Sequence, residues 1–224
     1  MNSNNINHPF YLKPKSEQIQ IQISIGLVAL ILFLIFIGIG YINKSFSFSI
    51  ILIVITLSII APFFDVPSGI KNGNLIYYSS LFLSEKEKKG HVQIHGRTLF
   101  DYVFVLNKKL NAKQQTNFVL QKYLEGLLNL IDQHKNTPEL VLKGTSFIIN
   151  KRTANKLGFK IVRTNPLQYA ILIFNYFNLL VSNSLVKNKI TFPKISKTKT
   201  FKSKIGPLLK HKIFIENLNN SLKQ

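Results

Sequence analysis

The 224-residue sequence predicts a membrane-anchored α+β protein: an N-terminal two-helix transmembrane hairpin followed by a single-sheet α/β cytoplasmic domain. Three observations lead there. The chain is 46% apolar, and two long stretches near its start carry no charge. It also holds 29 Lys and Arg against 9 Asp and Glu, a formal net charge of +20, and most of that charge lies far from the apolar stretches. Between the two, short β-patterned and helix-patterned segments alternate as in a layered domain. The absence of cysteine excludes disulfide scaffolds, thiolate metal sites and cysteine nucleophiles.

Residues 1–19 form a cytoplasmic N-terminal segment, and 20–64 the hairpin. No charge falls between Glu17 and Lys44, and Ile21–Ile42 is apolar on every side rather than along one stripe. About 20 such residues cross a hydrocarbon core. Residues 20–42 are therefore one span and 45–64 (SFSFSIILIVITLSIIAPFF from Ser45) the other, joined by Asn43-Lys44. The first run exceeds a signal-peptide core and is followed at once by a second. So short a turn puts both chain ends on one side. Lys13, Lys15 and Lys71 flank that side against Lys44 at the turn, which predicts a multi-pass inner-membrane protein with both termini cytoplasmic.

Residues 65–186 read as the cytoplasmic α+β domain. Turn chemistry at Asp65–Gly69 and Asn72–Asn74 marks the exit from the bilayer. Leu75–Leu83, His91–His95 and Thr98–Leu106 read as strands. Leu120, Leu124, Leu127, Leu128 and Ile131 share one face of a helix over 117–134, where Gly126 implies close packing on a sheet. Glu139–Ile149 reads as a strand, Lys151–Leu157 as a helix stopped by Gly158, and Phe159–Arg163 as a strand.

A third uncharged run, 166–186, places Gln168, Asn175, Asn178 and Ser182 on one stripe of an amphipathic helix. It is read as a buried domain helix, an in-plane membrane helix or a third span. From Leu140 to Phe214 there is no Asp or Glu, and that window holds 15 of the 29 basic residues. Residues 187–224 form a basic C-terminal segment. Its Lys187, Lys189, Lys194, Lys197, Lys199, Lys202 and Lys204 are the candidate membrane-surface residues, with anionic lipid headgroups as partner. A solvated, partnerless charge run is the plain alternative. Nucleic acid fits less well, because only Arg97, Arg152 and Arg163 supply guanidinium groups.

Candidate chemistry is sparse. Asp101, among Phe100, Tyr102 and Phe104, could pair with a base, orient a histidine or act as a base itself. His95 and Ser146, beside Gly144-Thr145, are the other catalytic candidates. On a strand, His91 and His95 would stand about 13 Å apart, too far for one metal, so no metal site is expected. The segment Arg152–Val162, RTANKLGFKIV, closing a strand–helix–strand–helix–strand order from Asp101, resembles the GNAT superfamily of N-acetyltransferases. That resemblance implies an acyl-CoA-dependent transferase at the membrane face, with pyrophosphate held at the start of the long helix by Lys113, Gln114, Thr116 and Asn117. The matching stretch Ala112–Asn117 has no glycine. The residues themselves imply no cofactor, and a membrane-surface binding or scaffolding module is the leading expectation.

Overall fold

A computed structural model describes residues 8–96 and 98–222; residues 1–7, Arg97 and 223–224, with the expectations that fall on them, lie outside the described residues. Helix α1 (Lys15–Ile42) turns at Asn43–Phe46 into α2 (Ser47–Ile60), which continues through Ala61 into α3 (Pro62–Lys71). The 28-residue α1 and the 25-residue run Ser47–Lys71 are both long and apolar enough to cross a membrane. At the hairpin tip Lys44 takes a left-handed conformation. Gly40 lets the helices close there: a Cβ on it would meet the Phe46 ring at 2.6 Å and Ser49 Oγ at 2.8 Å.

After the hairpin come β1 (Leu75–Ser79), β2 (Phe82–Glu85), β3 (His91–His95), α4 (Leu99–Val105), α5 (Ala112–Gln133) and β4 (Val141–Ser146). They are followed by α6 (Lys151–Lys156), β5 (Lys160–Val162), α7 (Pro166–Phe174), α8 (Tyr176–Lys187), a 3-10 turn at Ile195–Lys197, β6 (Lys199–Lys204), α9 (Ile205–Lys210) and α10 (Lys212–Ser221). The strands form one mixed sheet in the order β1-β2-β3-β4-β6-β5. Among the described residues, only β3 and β4 pair in parallel.

Four expectations are corrected. Leu75–Leu83 is not one strand but β1 and the start of β2, because Ser80-Leu81 turns the chain into an antiparallel hairpin. Thr98–Leu106 is helical. Thr98 accepts from the Asp101 amide while the Asp101 carboxylate accepts from the Thr98 amide, a reciprocal cap that starts α4 and outweighs the strand-forming aromatics. Residues 166–186 are two helices, bent by 66° at Asn175. The segment 187–224, set apart from the domain by its basic composition, contributes a strand to the domain's sheet: Lys199–Lys204 stands between β4 and β5, six residues of it paired with β4.

The division expected at residue 65 falls inside α3. A single apolar cluster joins Phe10 before α1, Phe63 and Val66 of α3, Tyr77 and Leu83 of the sheet, and Leu99 and Phe100 of α4. Residues preceding the hairpin and residues following it therefore pack together at one end of it. On the other sheet face, α5 buries Leu124, Leu127, Leu130 and Ile131 against Leu142, Phe201, Ile205, Leu208 and Ile215. Fully burying each such side chain contributes about 1.5–3 kcal/mol. Gly126 is where α5 touches the sheet, since a Cβ there would lie 2.4 Å from Phe82 Cβ. Ser79 Oγ donating to Lys122 O (2.6 Å) and Asn129 Nδ2 donating to Tyr78 O (2.7 Å) pin the same contact.

Candidate functional site

Helices α7 and α8 carry the polar stripe read from the sequence, and the fold turns that stripe toward protein. Gln168 Oε1 accepts from Thr145 Oγ1 of β4 (3.1 Å), which in turn bonds Thr200 Oγ1 of β6 (3.1 Å). Asn178 and Ser182 are buried, and Asn178 Nδ2 donates to Ser58 O of α2 at 3.4 Å. Ser58 Oγ donates to Phe174 O (3.1 Å), a carbonyl beside the break. Asn175 Nδ2 returns to Ile171 O (2.9 Å). Polar groups thus satisfy one another between α2, the sheet end and the α7–α8 break, as an apolar setting requires.

The other side of α7 is bare. It has no buried residue, and Leu167, Ile171, Ile173 and Phe174 are 51–66% exposed. This apolar face sits where α8 meets α2, beside the exposed apolar flank of the hairpin. Tyr169 Oη donates to Ile195 O (3.1 Å), which brings the 3-10 turn and its Lys194 and Lys197 alongside α7. Nearby, a groove of about 220 Å³ is lined by Phe147, Ile148 and Phe192 together with Lys187, Lys194 and Lys197. Lys187 Nζ donates to Thr116 Oγ1 (3.1 Å). The seven candidate surface lysines therefore occupy different settings. Lys187, Lys194 and Lys197 line the groove, and Lys189 is exposed just beyond the α8 cap. Lys199 begins β6, Lys202 stands on the open sheet face, and Lys204 pairs with Glu139.

The catalytic candidates do not converge. Asp101 is fully buried, accepting from Thr98 N (2.7 Å), Thr98 Oγ1 (2.9 Å) and the Tyr77 hydroxyl. The imidazole of His8, also fully buried, stacks on Phe100. Its Nδ1 accepts from the Phe10 amide (3.3 Å), and its Nε2 lies 3.5 Å from Asp101 Oδ1 without a hydrogen bond. The Asp101 carboxylate thus lies near a histidine without bonding it, inside a closed aromatic cluster. Burial first, and the Asp101 charge second, push the Tyr11 and Tyr77 phenols far above the usual tyrosine value, so both stay neutral. His95 Nε2 pairs with Glu85 Oε1 (2.8 Å) on the neighbouring strand, and Ser146 Oγ accepts from the Ile148 amide (3.1 Å). His8 was missed because nothing local distinguishes it; its partners lie about 70 to 90 positions away.

The residues implied to hold an acyl-CoA pyrophosphate form the first turns of α5, and that terminus is already closed. Asn111 Oδ1 accepts from the Lys113 and Gln114 amides (3.0 Å each), and Gln114 Oε1 accepts from the Asn111 amide (3.0 Å). Thr116 Oγ1 donates back to Ala112 O (2.7 Å), and Asn117 is half-buried one position further on. In the sheet, β4 and β5 are separated by β6, with no cleft opened between paired strands. Comparison with protein-family models, with curated proteins and with solved structures finds no match for this chain.

Proposed function

We propose that this chain is a membrane-anchored binding or scaffolding module whose domain rests on an anionic bilayer surface. The hairpin α1–α2 spans the membrane, and both termini lie on the cytoplasmic side, where Lys13, Lys15 and Lys71 outnumber Lys44 at the tip. Helix α7 lies in the interface as an amphipathic in-plane helix, its apolar face in the acyl boundary and Lys187, Lys189, Lys194, Lys197 and Lys199 at headgroup level. Each lysine there contributes about 1 kcal/mol of attraction to anionic lipid.

One observation carries this reading. The α7–α8 unit bends at Asn175 so that Gln168 and Asn178 meet the sheet and α2 while Leu167, Ile171, Ile173 and Phe174 of α7 stay exposed. A helix exposing so much apolar surface beside a span-length hairpin has the bilayer as its natural cover.

The chain contains no tryptophan, which makes a site-specific test direct. The full chain carrying Ile171→Trp, reconstituted in liposomes, is expected to emit at short wavelength and be quenched by brominated acyl chains. Ile213→Trp, at an exposed position of α10, serves as the water-facing reference. Quenching at 171 no greater than at 213 would remove α7 from the interface. The full chain is needed because Phe10 and the base of α1 belong to the domain's own apolar cluster.

A further inference from the structure

On the face of the sheet turned away from α5, a line of lysines crosses β4, β6 and β5. Gln93 of β3 is the register partner of Lys143 of β4; Lys143 is opposite Lys202 of β6, and Lys202 opposite Lys160 of β5. Adjacent strands stand about 4.8 Å apart, so three ammonium-bearing stems follow one another at that spacing. Their neighbours along each strand, Leu142, Phe201 and Ile161, belong to the main core, which sends the lysines to the opposite face. Lys160 and Lys202 are exposed and Lys143 half-buried. Among the described residues, none of the three has an ion-pair or hydrogen-bond partner, whereas Lys204, one place further on the same face, pairs with Glu139.

Like charges directly opposite on paired strands destabilise a sheet. Here the repulsion runs through three strands, in the acid-free stretch of the chain, with no carboxylate brought over to relieve it. Two residues along the strands, about 7 Å away, lies a cluster of hydroxyls: Thr145, Thr200 and Thr164 bonded in series at 3.0–3.1 Å and continuing to Gln168 at the start of α7. Three positive charges in a row beside a group of hydroxyls suit a compact, multiply charged oxyanion.

The geometry points to Lys143, Lys202 and Lys160 as a binding site for a phosphomonoester or diphosphate group. This goes beyond surface attraction to a bilayer. The group could be the headgroup of a lipid lying against α7, a version that rests on the interfacial placement of α7, or a soluble phosphate compound, which does not.

The test uses the full chain in phosphatidylcholine nanodiscs, with the melting temperature of the domain followed by circular dichroism. In one arm inorganic pyrophosphate is added. In the other, part of the lipid is replaced by phosphatidic acid, a phosphomonoester, or by phosphatidylglycerol, a phosphodiester, at equal surface charge. A rise of about 3–6 °C with pyrophosphate supports a soluble source, and one with phosphatidic acid but not phosphatidylglycerol supports a lipid source. In either case the rise falls to less than about a third in Lys202→Thr, which removes the middle charge and keeps a good strand former, and in Lys160→Gln on the edge strand. Lys202→Arg retains it. No rise in either arm, an equal rise with phosphatidylglycerol, or an undiminished rise in both charge-removing variants overturns the site. The tryptophan quenching at position 171 is independent of all these outcomes, so failure of this site and failure of the interfacial reading are separable.

Discussion

Replacing Asp101 by alanine tests whether the N-terminal segment is a structural part of the domain. In the intact protein its carboxylate satisfies the Tyr77 hydroxyl and two groups of Thr98, with His8 Nε2 3.5 Å away but not hydrogen-bonded to it, all in a cluster closed to water. Alanine strands the buried Tyr77 Oη–H and removes both bonds from Thr98. Each unsatisfied buried group costs about 1–3 kcal/mol. The half of the α4 cap that depends on Asp101 adds about 0.5 kcal/mol. The total, about 2–4 kcal/mol, comes from one stranded buried hydroxyl and the lost bonds to Thr98. For a domain of this size that lowers Tm by about 10 °C, measured by circular dichroism in detergent micelles. Because His8, Phe10 and Tyr11 dock on the same cluster, the loss should also free the segment before α1. Trypsin would then cleave after Lys15 of Asp101→Ala long before it cleaves the parent protein, as mass spectrometry would show. A fall in Tm under about 2 °C, or unchanged cleavage, would refute the view that this buried carboxylate holds the N-terminal segment to the sheet.

Gly126→Ala should destabilise the domain by about 1–3 kcal/mol even though alanine is the better helix former, because the new Cβ collides with Phe82; Phe82→Leu in the same chain should recover part of the loss in a thermal melt. His134, half-buried with Nε2 3.2 Å from the Tyr78 hydroxyl, has its pKa lowered chiefly by burial. The unfolded chain therefore takes up that proton first: the stability is present above about pH 6.5 and declines as pH falls toward the lowered folded value, and a His134→Gln protein should show a flatter Tm–pH profile over that window. Coenzyme A should leave the Tm unchanged, since the amides at the start of α5 are already taken by Asn111 and Gln114. A rise of several degrees would restore the acyl-transferase reading.

Local chemistry made a large part of the fold legible. The two helices long and apolar enough to cross a membrane follow from uncharged apolar runs. Helix α5 follows from its apolar period, although it begins five residues earlier than that period alone suggests, where Asn111 caps it. Gly158 ends α6 in a left-handed conformation, as its position after Leu157 implies. Helix α4 was equally open to a local reading, through Thr98 and Asp101 three residues apart, but a run of aromatics carries a strand signal of similar strength. The polar stripe Gln168–Ser182 was visible too; its break at Asn175 was not, because the bend depends on Ser58, more than 100 positions away.

What the sequence determined alone is what short-range chemistry enforces: where apolar surface must leave water, which segments can be helices, and that the positive charge is concentrated after Leu140. Tertiary structure decided where that charge stands. β6 finds its place between β4 and β5 by pairing with partners some 40 to 60 residues away, and only that register sets Lys143, Lys202 and Lys160 side by side. Likewise, only the folded chain brings His8 to Asp101, across the whole length of the hairpin. Periodicity reports which face of an element is apolar; which face of which other element it meets is set by long-range pairing and packing, and both the lysine row and the buried His8–Asp101 pair are products of that second step.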